Sequence, residues 1–279
     1  MSARTHTFPT PQPLTLRVHN PAGQVEITAA ETTETTVEVI PRGGTARRQA
    51  ERGGWAQDSA ESIRVELSAD GTRLDVEAPE RRFGSAARLA MVIRLPIGSI
   101  VNVRTASADL SCRGSLGGIE ASTASGDVAA DQIDGDVNIS SASGDIQLGS
   151  VSGSVECKTA SGDVRADSID GSCRTNSASG DVHIGSCGGE VLARTASGDV
   201  TVRQAERGSV DVTTMSGDVR VGVRQGTVVW LDLSTLSGRT RSDLEHQDDA
   251  PADAGEVLSI SVRTMSGDIT LTPSTAATV

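Results

Sequence analysis

Apolar residues recur with a fixed period along most of this chain. If a recurring serine is taken as position 0 of each unit, apolar side chains fall at positions 3, 5, 8, 12 and 14. In the unit that begins at Ser125, these residues are Val128, Ala130, Ile133, Val137 and Ile139. Positions 3 and 5 alternate with polar residues, as do positions 12 and 14, which is typical of a β-strand with one buried face. Each unit is therefore predicted to form two or three short strands and no helix.

The tripeptide Ser-Gly-Asp marks the start of most units. It begins at Ser125, Ser143, Ser161, Ser179, Ser197, Ser216 and Ser266, with variants at Ser107 and Ser237. Counted from Ser107, the first five spacings are all 18, and the later ones are 19, 21 and 29. One unit cannot bury its apolar face alone, whereas stacked units can, with like residues in ladders about 4.8 Å apart. The repeat therefore predicts an all-β fold, a single-stranded β-helix (β-solenoid) of about 18 residues per coil, with roughly nine coils in a rod about 40 Å long.

The glycine at position 1 is expected to form a structural corner in each coil. These corner glycines are Gly126, Gly144, Gly162, Gly180, Gly198, Gly217 and Gly267. Glycine readily adopts positive φ, and the flanking Ser and Asp can hydrogen-bond to nearby backbone, so the tripeptide is expected to close a tight turn. A second corner is expected at position 10, where glycine recurs at Gly135, Gly153, Gly171 and Gly189.

The first hundred residues are interpreted as a looser version of the same fold. Short alternating segments predict strands at 14–18, 25–27, 37–39, 63–67, 74–76 and 91–95. Residues 20–23 are expected to form a corner, and Asp70-Gly71 a hairpin or corner. Residues 45–52 are expected to form a short helix, because glycine pairs bound this segment.

The chain is expected to form one domain with distinct parts. These are a flexible segment over 1–13, an irregular solenoid part over 14–100 with an excursion near 42–60, regular coils over 101–272 with an acidic loop inserted at 242–256, and a tail over 273–279. Insertions of this kind usually lie on the surface.

Composition and charge narrow the expected partners. Aromatic residues are limited to Phe8, Phe83, Trp55 and Trp230, so aliphatic side chains must fill the interior, as suits a thin tube. The net charge of −12 lies in residues 101–279, because residues 1–100 hold twelve arginines and twelve acidic residues. Acidic coils repel phosphate backbones, so no nucleic acid partner is expected.

Membrane insertion and export are not expected from the sequence. Lys158 is the one lysine, which argues against a polybasic membrane tether. No segment reaches 18 consecutive apolar residues, and the first residues lack the apolar run of a secretory signal. A cytoplasmic location is therefore expected.

Two sequence features resemble a known family. Thr-Ala-Ser-Gly-Asp-Val and its variants recur through the coils, and the segment Arg94-Leu-Pro96-Ile-Gly98 precedes them. From about Leu14 to Leu271 the chain resembles a bacterial β-strand-repeat family of unknown function that carries the label "putative adhesin". The resemblance implies a right-handed single-stranded β-helix and no catalytic residues. Many members of that family carry a membrane or export segment, which this sequence does not show.

Position 2 of the coils carries aspartate. The candidate residues are Asp127, Asp145, Asp163, Asp181 and Asp199, with Asp109 and Asp218 on either side. They are expected to form a column in which neighbouring like charges repel by roughly 1 kcal/mol in water. Either a divalent cation such as calcium binds there, or each carboxylate accepts backbone N–H bonds at its corner. The second interpretation is favoured because the calcium-binding nonapeptide Gly-Gly-x-Gly-x-Asp is absent, so no metal or cofactor is predicted.

The cysteines and histidines give no catalytic pattern. Cys112, Cys157, Cys173 and Cys187 all fall at apolar positions, without C-x-x-C spacing or a paired histidine. They are predicted to be small core residues rather than zinc ligands, and a disulfide between Cys157 and Cys173 stays open. The histidines are His6, His19, His183 and His246, which share no coil position. No Ser-His-Asp site is therefore predicted.

Two surface features have alternative interpretations. A Thr/Ser-x-Ser pattern recurs at the corners, where inward hydroxyls bonding along the stack are favoured over an exposed ladder that binds ice or another regular surface. An arginine cluster either docks an acidic partner or forms a solvated loop. It comprises Arg42, Arg47, Arg48, Arg52, Arg81 and Arg82.

The pattern as a whole favours a non-enzymatic scaffold or protein-interaction module, adhesin-like and of unidentified partner. A homo-oligomer through the coil ends is expected as one way to cover unpaired strand edges. The alternatives are a carbohydrate-active β-helix enzyme and a calcium-stabilised rod. Such an enzyme needs two positioned carboxylates and usually aromatic platforms, and Trp230 is the one aromatic residue of the coils.

Overall fold

The computed structural model describes residues 4–42, 62–79, 88–244 and 257–274, and all regular secondary structure there is β-strand. The chain forms two compact units, Met1–Asp145 and Ile146–Val279. In the first unit the strands are β1 (Arg4–Pro9), β2 (Thr15–Ala30), β3 (Glu34–Pro41), β4 (Arg64–Leu67), β5 (Arg73–Glu77), β6 (Leu89–Pro96), β7 (Ile100–Leu116), β8 (Gly118–Thr123), β9 (Val128–Ile133) and β10 (Val137–Ser141). In the second unit they are β11 (Ile146–Val151), β12 (Val155–Thr159), β13 (Val164–Ile169), β14 (Cys173–Ser177), β15 (Val182–Cys187), β16 (Val191–Ser197), β17 (Val200–Ala205), β18 (Ser209–Ser216), β19 (Val219–Arg224), β20 (Val229–Ser237), β21 (Thr240–Ser242), β22 (Leu258–Ser266) and β23 (Ile269–Ser274).

The first unit stacks its coils in an order that differs from the chain order. Strand β2 runs through the predicted corner at 20–23 and supplies both halves of one coil. Leu16 of this strand lies between Leu74 of β5 and Val101 of β7, both in parallel register. Strand β6 continues the β5 coil along the second half of β2. In space the coils therefore run β5/β6, β2, β7 and then β8/β9.

Antiparallel strands cover the outer side of the β5/β6 coil. Strand β3 pairs with β6, β1 pairs with β3, and β4 pairs with β5. Residues 4–9 thus form a strand within the segment that was expected to be flexible, because this extended stretch finds a hydrogen-bonding partner in β3. The predicted hairpin at Asp70-Gly71 joins β4 to β5, with Gly71 at φ 70°. The helix predicted at 45–52 lies outside the described residues.

The second unit repeats with the period seen in the sequence. Val164 lies opposite both Ile146 and Val182, its equivalents in the coils before and after. Strands β11, β13, β15, β17 and β19 form one row, and β12, β14, β16 and β18 form another. The one extra residue in the coil after Ser197 lies at the turn between Ala205 and Val210, because Cys187 pairs with Ala205 and Val191 pairs with Val210.

The end of the second unit also departs from chain order. Ile260 of β22 lies between Val210 of β18 and Leu231 of β20, and β23 lies between β19 and β21 in the same way. In space, the β22/β23 coil, which is the last in the sequence, therefore lies between the β18/β19 coil and the β20/β21 coil. The β20/β21 coil, over Val229–Ser242, is the outermost coil of the unit among the described residues. Most of the acidic loop expected at 242–256 lies outside them.

The predicted inward positions form the core. In the coil that begins at Ser179, the five apolar positions are at most 1% exposed; they are Val182, Ile184, Cys187, Val191 and Ala193. Truncation of a buried aliphatic side chain to alanine typically costs about 2–5 kcal/mol, so such ladders hold the coils together. The prediction of an all-β solenoid whose coils follow the sequence repeat is confirmed.

The corner glycines are required for a different reason from the expected one. Among the described corners at position 1, positive φ occurs at Gly217 and Gly267, so the expectation is wrong for the others. What they share is close approach: a Cβ at Gly180 would lie 2.0 Å from the carbonyl oxygen of Gly162, and one at Gly144 equally close to that of Gly126. Successive coils pass so near each other at this corner that no side chain fits.

Candidate functional site

The aspartates at position 2 form a hydrogen-bonded row within each unit, and together these residues are named the aspartate column. Its members are Asp109, Asp127 and Asp145 in the first unit, and Asp163, Asp181, Asp199, Asp218 and Asp268 in the second. The backbone N–H of Asp199 donates to Oδ1 of Asp181 at 2.8 Å, and that of Asp218 donates to Asp199 at 2.8 Å. In the first unit the same bonds measure 3.1 and 3.0 Å. Within each unit, a column carboxylate thus serves as the acceptor for a corner N–H in the neighbouring coil.

This bonding gives the column an architectural role. These bonds are exposed or only partly buried, so each contributes about 0.5–1.5 kcal/mol net to the stability of the neighbouring coil. Arg220 lies beside two column members, at 3.0 Å from Asp218 and 3.6 Å from Asp199, and offsets part of their repulsion. Calcium takes six to eight oxygen ligands, whereas the described residues contain no group of three acidic, histidine or cysteine side chains arranged to hold a metal.

The corner hydroxyls bond within their own coil in the regular part of the solenoid. The N–H of Gly126 donates to the Thr123 hydroxyl at 2.8 Å, and that of Gly162 donates to the Thr159 hydroxyl at 3.0 Å. Ser141 and Ser177 accept the equivalent bonds. The expectation that these hydroxyls bond along the stack is therefore wrong at these corners. Because Thr123 and Thr159 are buried, they do not form an exposed ladder.

All four cysteines are buried and free. Burial raises the pKa of Cys112 and of Cys157 to about 12. Burial is also the largest cause of the raised pKa of Cys173, and the neighbouring thiols of Cys157 and Cys187 raise it further. Thiols of this kind stay protonated and are weak nucleophiles at neutral pH. The prediction that they are core residues is confirmed, and Cys157 and Cys173 form no disulfide.

The described histidines lie on separate strands. His6 on β1 stacks against Phe8 with ring centroids 6.4 Å apart, and burial followed by nearby Arg4 lowers its pKa. His19 lies on β2. His183 lies on β15, where its cross-strand neighbours are Arg165 and Thr201. His246 falls outside the described residues, as do all members of the arginine cluster except the exposed Arg42.

Three large apolar side chains project from the last coils of the second unit. Met215, Met265 and Leu236 occupy the residue before the corner serine on β18, β22 and β20, and they are 57%, 52% and 82% exposed. The register of these strands places them side by side. This set is named the apolar strip. The equivalent residues of the earlier coils are alanines, namely Ala124, Ala142, Ala160, Ala178 and Ala196.

The hydrophobic pattern of the sequence predicts buried positions, so it does not single out the outward-facing residues of the apolar strip. The signal was present, since the alanine before Ser-Gly-Asp changes to Met or Leu in the coils with irregular spacing. A contiguous row of exposed apolar side chains is the kind of surface that, when large enough, marks interaction sites.

The two halves of the outermost coil differ in the polarity of the side chains that they expose to solvent. On β21 the positions that elsewhere carry Val and Leu are Thr240 and Ser242, and both are exposed. On β20 the same inward row keeps Leu231 and Leu233, which are only half-buried. Trp230, on the outer face of β20, is 58% exposed. The β20 half thus presents apolar surface where the β21 half is polar.

The surroundings of Trp230 do not resemble a glycosidase cleft. Asp232, two residues along the same face, forms an ion pair with Arg263 at 2.7 Å. Across the rung, Trp230 and Asp232 face Ser259 and Ser261. Two free carboxylates flanking an aromatic platform, as carbohydrate cleavage requires, are not brought together at this position.

Comparisons with known proteins agree with this fold. The family model described as Toastrack DUF4097 matches residues 14–272. A solved structure named "putative lipid binding protein", from Parabacteroides distasonis, is 12% identical, with a TM-score of 0.50 and 96% of each chain covered. A "putative adhesin" from Bacteroides fragilis is 12% identical, with a TM-score of 0.43, and covers 96% of this chain and 97% of its own. At these identities the likeness concerns the fold alone.

Curated proteins add no closer relative, since none matches this chain. Within the described ranges, no helix is long and apolar enough to cross a membrane.

Proposed function

The chain belongs to the Toastrack DUF4097 family, and from that premise we propose that it is a non-catalytic β-solenoid scaffold that binds a protein partner through the apolar strip. The observation that carries this proposal is the exposure of Met215, Met265 and Leu236 in one row, each more than half exposed. The solved relatives named as adhesins or as a binding protein fit an interaction module in general terms.

The side chains of the strip have the chemistry of a binding surface. Methionine and aromatic residues are enriched in the cores of protein interfaces, and the flexible thioether of Met adapts to irregular partner surfaces. A row of exposed apolar side chains lowers the solubility of a protein. A scaffold without a partner would gain no compensating benefit from such a row. Leu236 is the most exposed large apolar residue described in this chain.

The solenoid holds these side chains in place before binding. The three residues lie on neighbouring strands in parallel register, so backbone hydrogen bonds set their spacing at about 4.8 Å per rung. A partner that binds a preorganised row loses less conformational freedom than one that binds a mobile loop. The fold therefore serves the proposed function by rigidity.

The ionisable groups support a non-catalytic role. The column carboxylates accept backbone N–H bonds, Asp232 is paired with Arg263, and burial raises the pKa of the cysteine thiols. These groups are committed to structure, whereas a catalytic acid, base or nucleophile must be free to exchange protons with a substrate.

Site-specific photo-crosslinking in the native cell tests the proposal. A photoreactive residue replaces Met265, and the matched control places it at Ala178, which is exposed at the same coil position in a regular coil. We expect a heterologous adduct from position 265 and none from 178. The adduct should weaken several-fold when Met215→Ser and Leu236→Ser are added, and the purified partner should bind the wild-type chain and not this variant. Equal labelling at both positions, or none at 265, would contradict the proposal.

A further inference from the structure

Strand β20 has one paired edge and one open edge. Its paired edge lies on β22, with Leu231 opposite Ile260 and Leu233 opposite Val262. No strand among the described residues pairs with its other edge. The N–H of Leu258 donates to the carbonyl of Val228, so the backbone groups of Val228 point toward β22. The N–H and C=O groups of successive residues point to opposite edges of a strand, so those of Leu231, Leu233 and Thr235 point toward the open edge. Such a row is a template for pairing with another strand.

The open edge carries apolar side chains on both of its faces. Trp230 and Leu236 are exposed on the outer face, at 58% and 82%, and Leu231 and Leu233 are half-buried on the inner face. The outer strands of the first unit are different in character. Strand β1 ends in Pro9, and β4 carries the Arg64–Glu66 ion pair, both of which discourage edge pairing.

The sequence of β20 is complementary to itself in one antiparallel register. If Leu233 lies opposite Leu233 of a second copy, Trp230 comes opposite Leu236, and this contact occurs twice by symmetry. Leu233 then belongs to a hydrogen-bonded pair, because its backbone groups face the open edge. Trp230 and Leu236 form a non-hydrogen-bonded pair, in which opposing Cα atoms are closer, at about 4.5 Å.

Charge selects the same register. With Leu233 at the centre, Asp232 lies opposite Ser234. A shift of the centre to Asp232 places two aspartates opposite each other, and a shift to Ser234 places Asp232 opposite Leu236. Like charges directly opposed across strands are destabilising, whereas aromatic–aliphatic pairs are favourable. Of these three registers, only the one centred on Leu233 places Asp232 opposite neither a second aspartate nor an apolar residue, while it also pairs Trp230 with Leu236.

We propose that the chain forms a two-fold symmetric dimer in which the open edge of β20 pairs antiparallel with the same edge of a second copy, centred on Leu233. The pairing caps the half-buried Leu231 and Leu233. It also extends the row Met215, Met265 and Leu236 by Trp230 of the second copy. This proposal goes beyond the proposed function, since it requires no heterologous partner.

Sedimentation velocity of the full chain over a wide concentration range tests the dimer. We expect a reversible shift from the 28.7 kDa monomer to twice that mass. Leu233→Pro should abolish the shift, because it removes an N–H that faces the open edge and no hydrogen bond to β22. Trp230→Ser should weaken association at least tenfold. The matched control is Met215→Ser, an exposed apolar residue two rungs away, which should associate as the wild type does. Melting curves of all variants verify folding.

A cross-linking experiment tests the register. In the proposed dimer, Trp230→Cys combined with Leu236→Cys forms two intermolecular disulfides under mild oxidation, since these residues lie too far apart within one strand, at about 20 Å, to bridge. Trp230→Cys combined with Ser234→Cys should not cross-link efficiently. A chain that stays monomeric throughout, or a dimer that survives Leu233→Pro, overturns the proposal. Loss of the heterologous photo-adduct with an intact dimer would instead overturn the proposed function alone.

Discussion

The corners of the second unit fall into two groups that share a tripeptide and differ in how they bond. At the regular corner the N–H of Gly162 donates to the Thr159 hydroxyl. At the later corner the N–H of Gly217 instead donates to the carbonyl of Ser266 in the neighbouring coil, at 3.0 Å. The Thr214 hydroxyl, equivalent to that of Thr159, is buried without a partner among the described residues.

The difference extends to the side chain beside the corner. In the later group the strands β16, β18, β20 and β22 continue as far as the corner serine. The preceding residue is Met or Leu on the last three of these strands, whereas β16 keeps Ala196. At the Gly198 and Gly217 corners the glycine N–H donates to a carbonyl of the neighbouring coil instead of to a hydroxyl of its own coil. A large apolar side chain projects outward beside Gly217, but not beside Gly198. Identical Ser-Gly-Asp sequences therefore do not ensure identical corners, because neighbouring coils decide which acceptor the glycine meets.

Replacement of the corner glycines should change the free energy of unfolding more than any other substitution that tests the two corner groups. A Cβ at Gly180 would lie 2.0 Å from a backbone oxygen, so we expect Gly180→Ala to lower the free energy of unfolding by about 3 kcal/mol. Gly217→Ala meets a similar contact at 2.2 Å and also requires φ 153°, so its loss should be about 1 kcal/mol larger.

Urea denaturation followed by circular dichroism measures both changes. The control is Gly226→Ala, where φ is 82° and nothing lies within 4 Å of the added Cβ, so we expect a loss of only about 1–2 kcal/mol. If Gly180→Ala unfolds at the wild-type midpoint, close approach is not what fixes glycine at the regular corners.

Replacement of the corner threonines should give smaller effects of opposite sign. Thr159→Val removes the acceptor of the Gly162 N–H, and we expect it to destabilise the chain by about 1–2 kcal/mol. Thr214→Val replaces a buried hydroxyl that has no described partner, so we expect no loss, or a gain of up to about 1 kcal/mol. Urea midpoints of the two isosteric variants distinguish the corner types directly. Equal losses would show that both hydroxyls are bonded in solution.

Calcium should have the smallest effect, because the aspartate column is bonded in the same way in both corner groups. Column Oδ1 atoms of both groups, such as those of Asp163 and Asp218, already accept an N–H, so we expect the melting temperature to be the same in calcium and in chelator. A calcium ion present at a free concentration of a hundred times its Kd would add about 2.7 kcal/mol to the free energy of unfolding and would raise the melting temperature by several degrees. Asp181→Asn keeps an acceptor oxygen and should melt close to the wild type, so a calcium-dependent shift that this variant abolishes would support a calcium-stabilised rod.

Much of the fold follows from the sequence because inward and outward positions alternate within a fixed repeat. Val164 and Val182 can be assigned to one ladder from the repeat alone. The burial of Cys157 and Cys187 can be predicted in the same way, from their positions in the repeat. The order of the coils cannot be derived in this way. Leu16 pairs with Val101, which is far from it along the chain, and an apolar pair of this kind fits equally well on any neighbouring coil.

The candidate site was less accessible to sequence reasoning. The aspartate column could be anticipated, because repeated carboxylates at one position demand a shared partner. The open edge of β20 could not, because it arises only when β22 takes the place beside β18. Likewise, the sequence shows that Gly180 recurs, and only the structure shows that a carbonyl oxygen rather than positive φ requires it.

The placement of β22 has a consequence for synthesis of the protein. Residues 229–242 leave the ribosome before residues 258–274, yet in the finished unit they lie outside them. The β20/β21 coil therefore has no native neighbour until the later segment has been translated. Folding of this end cannot proceed coil by coil behind the ribosome, and a transcript truncated after residue 257 yields a chain whose outermost coil lacks the surface on which it rests.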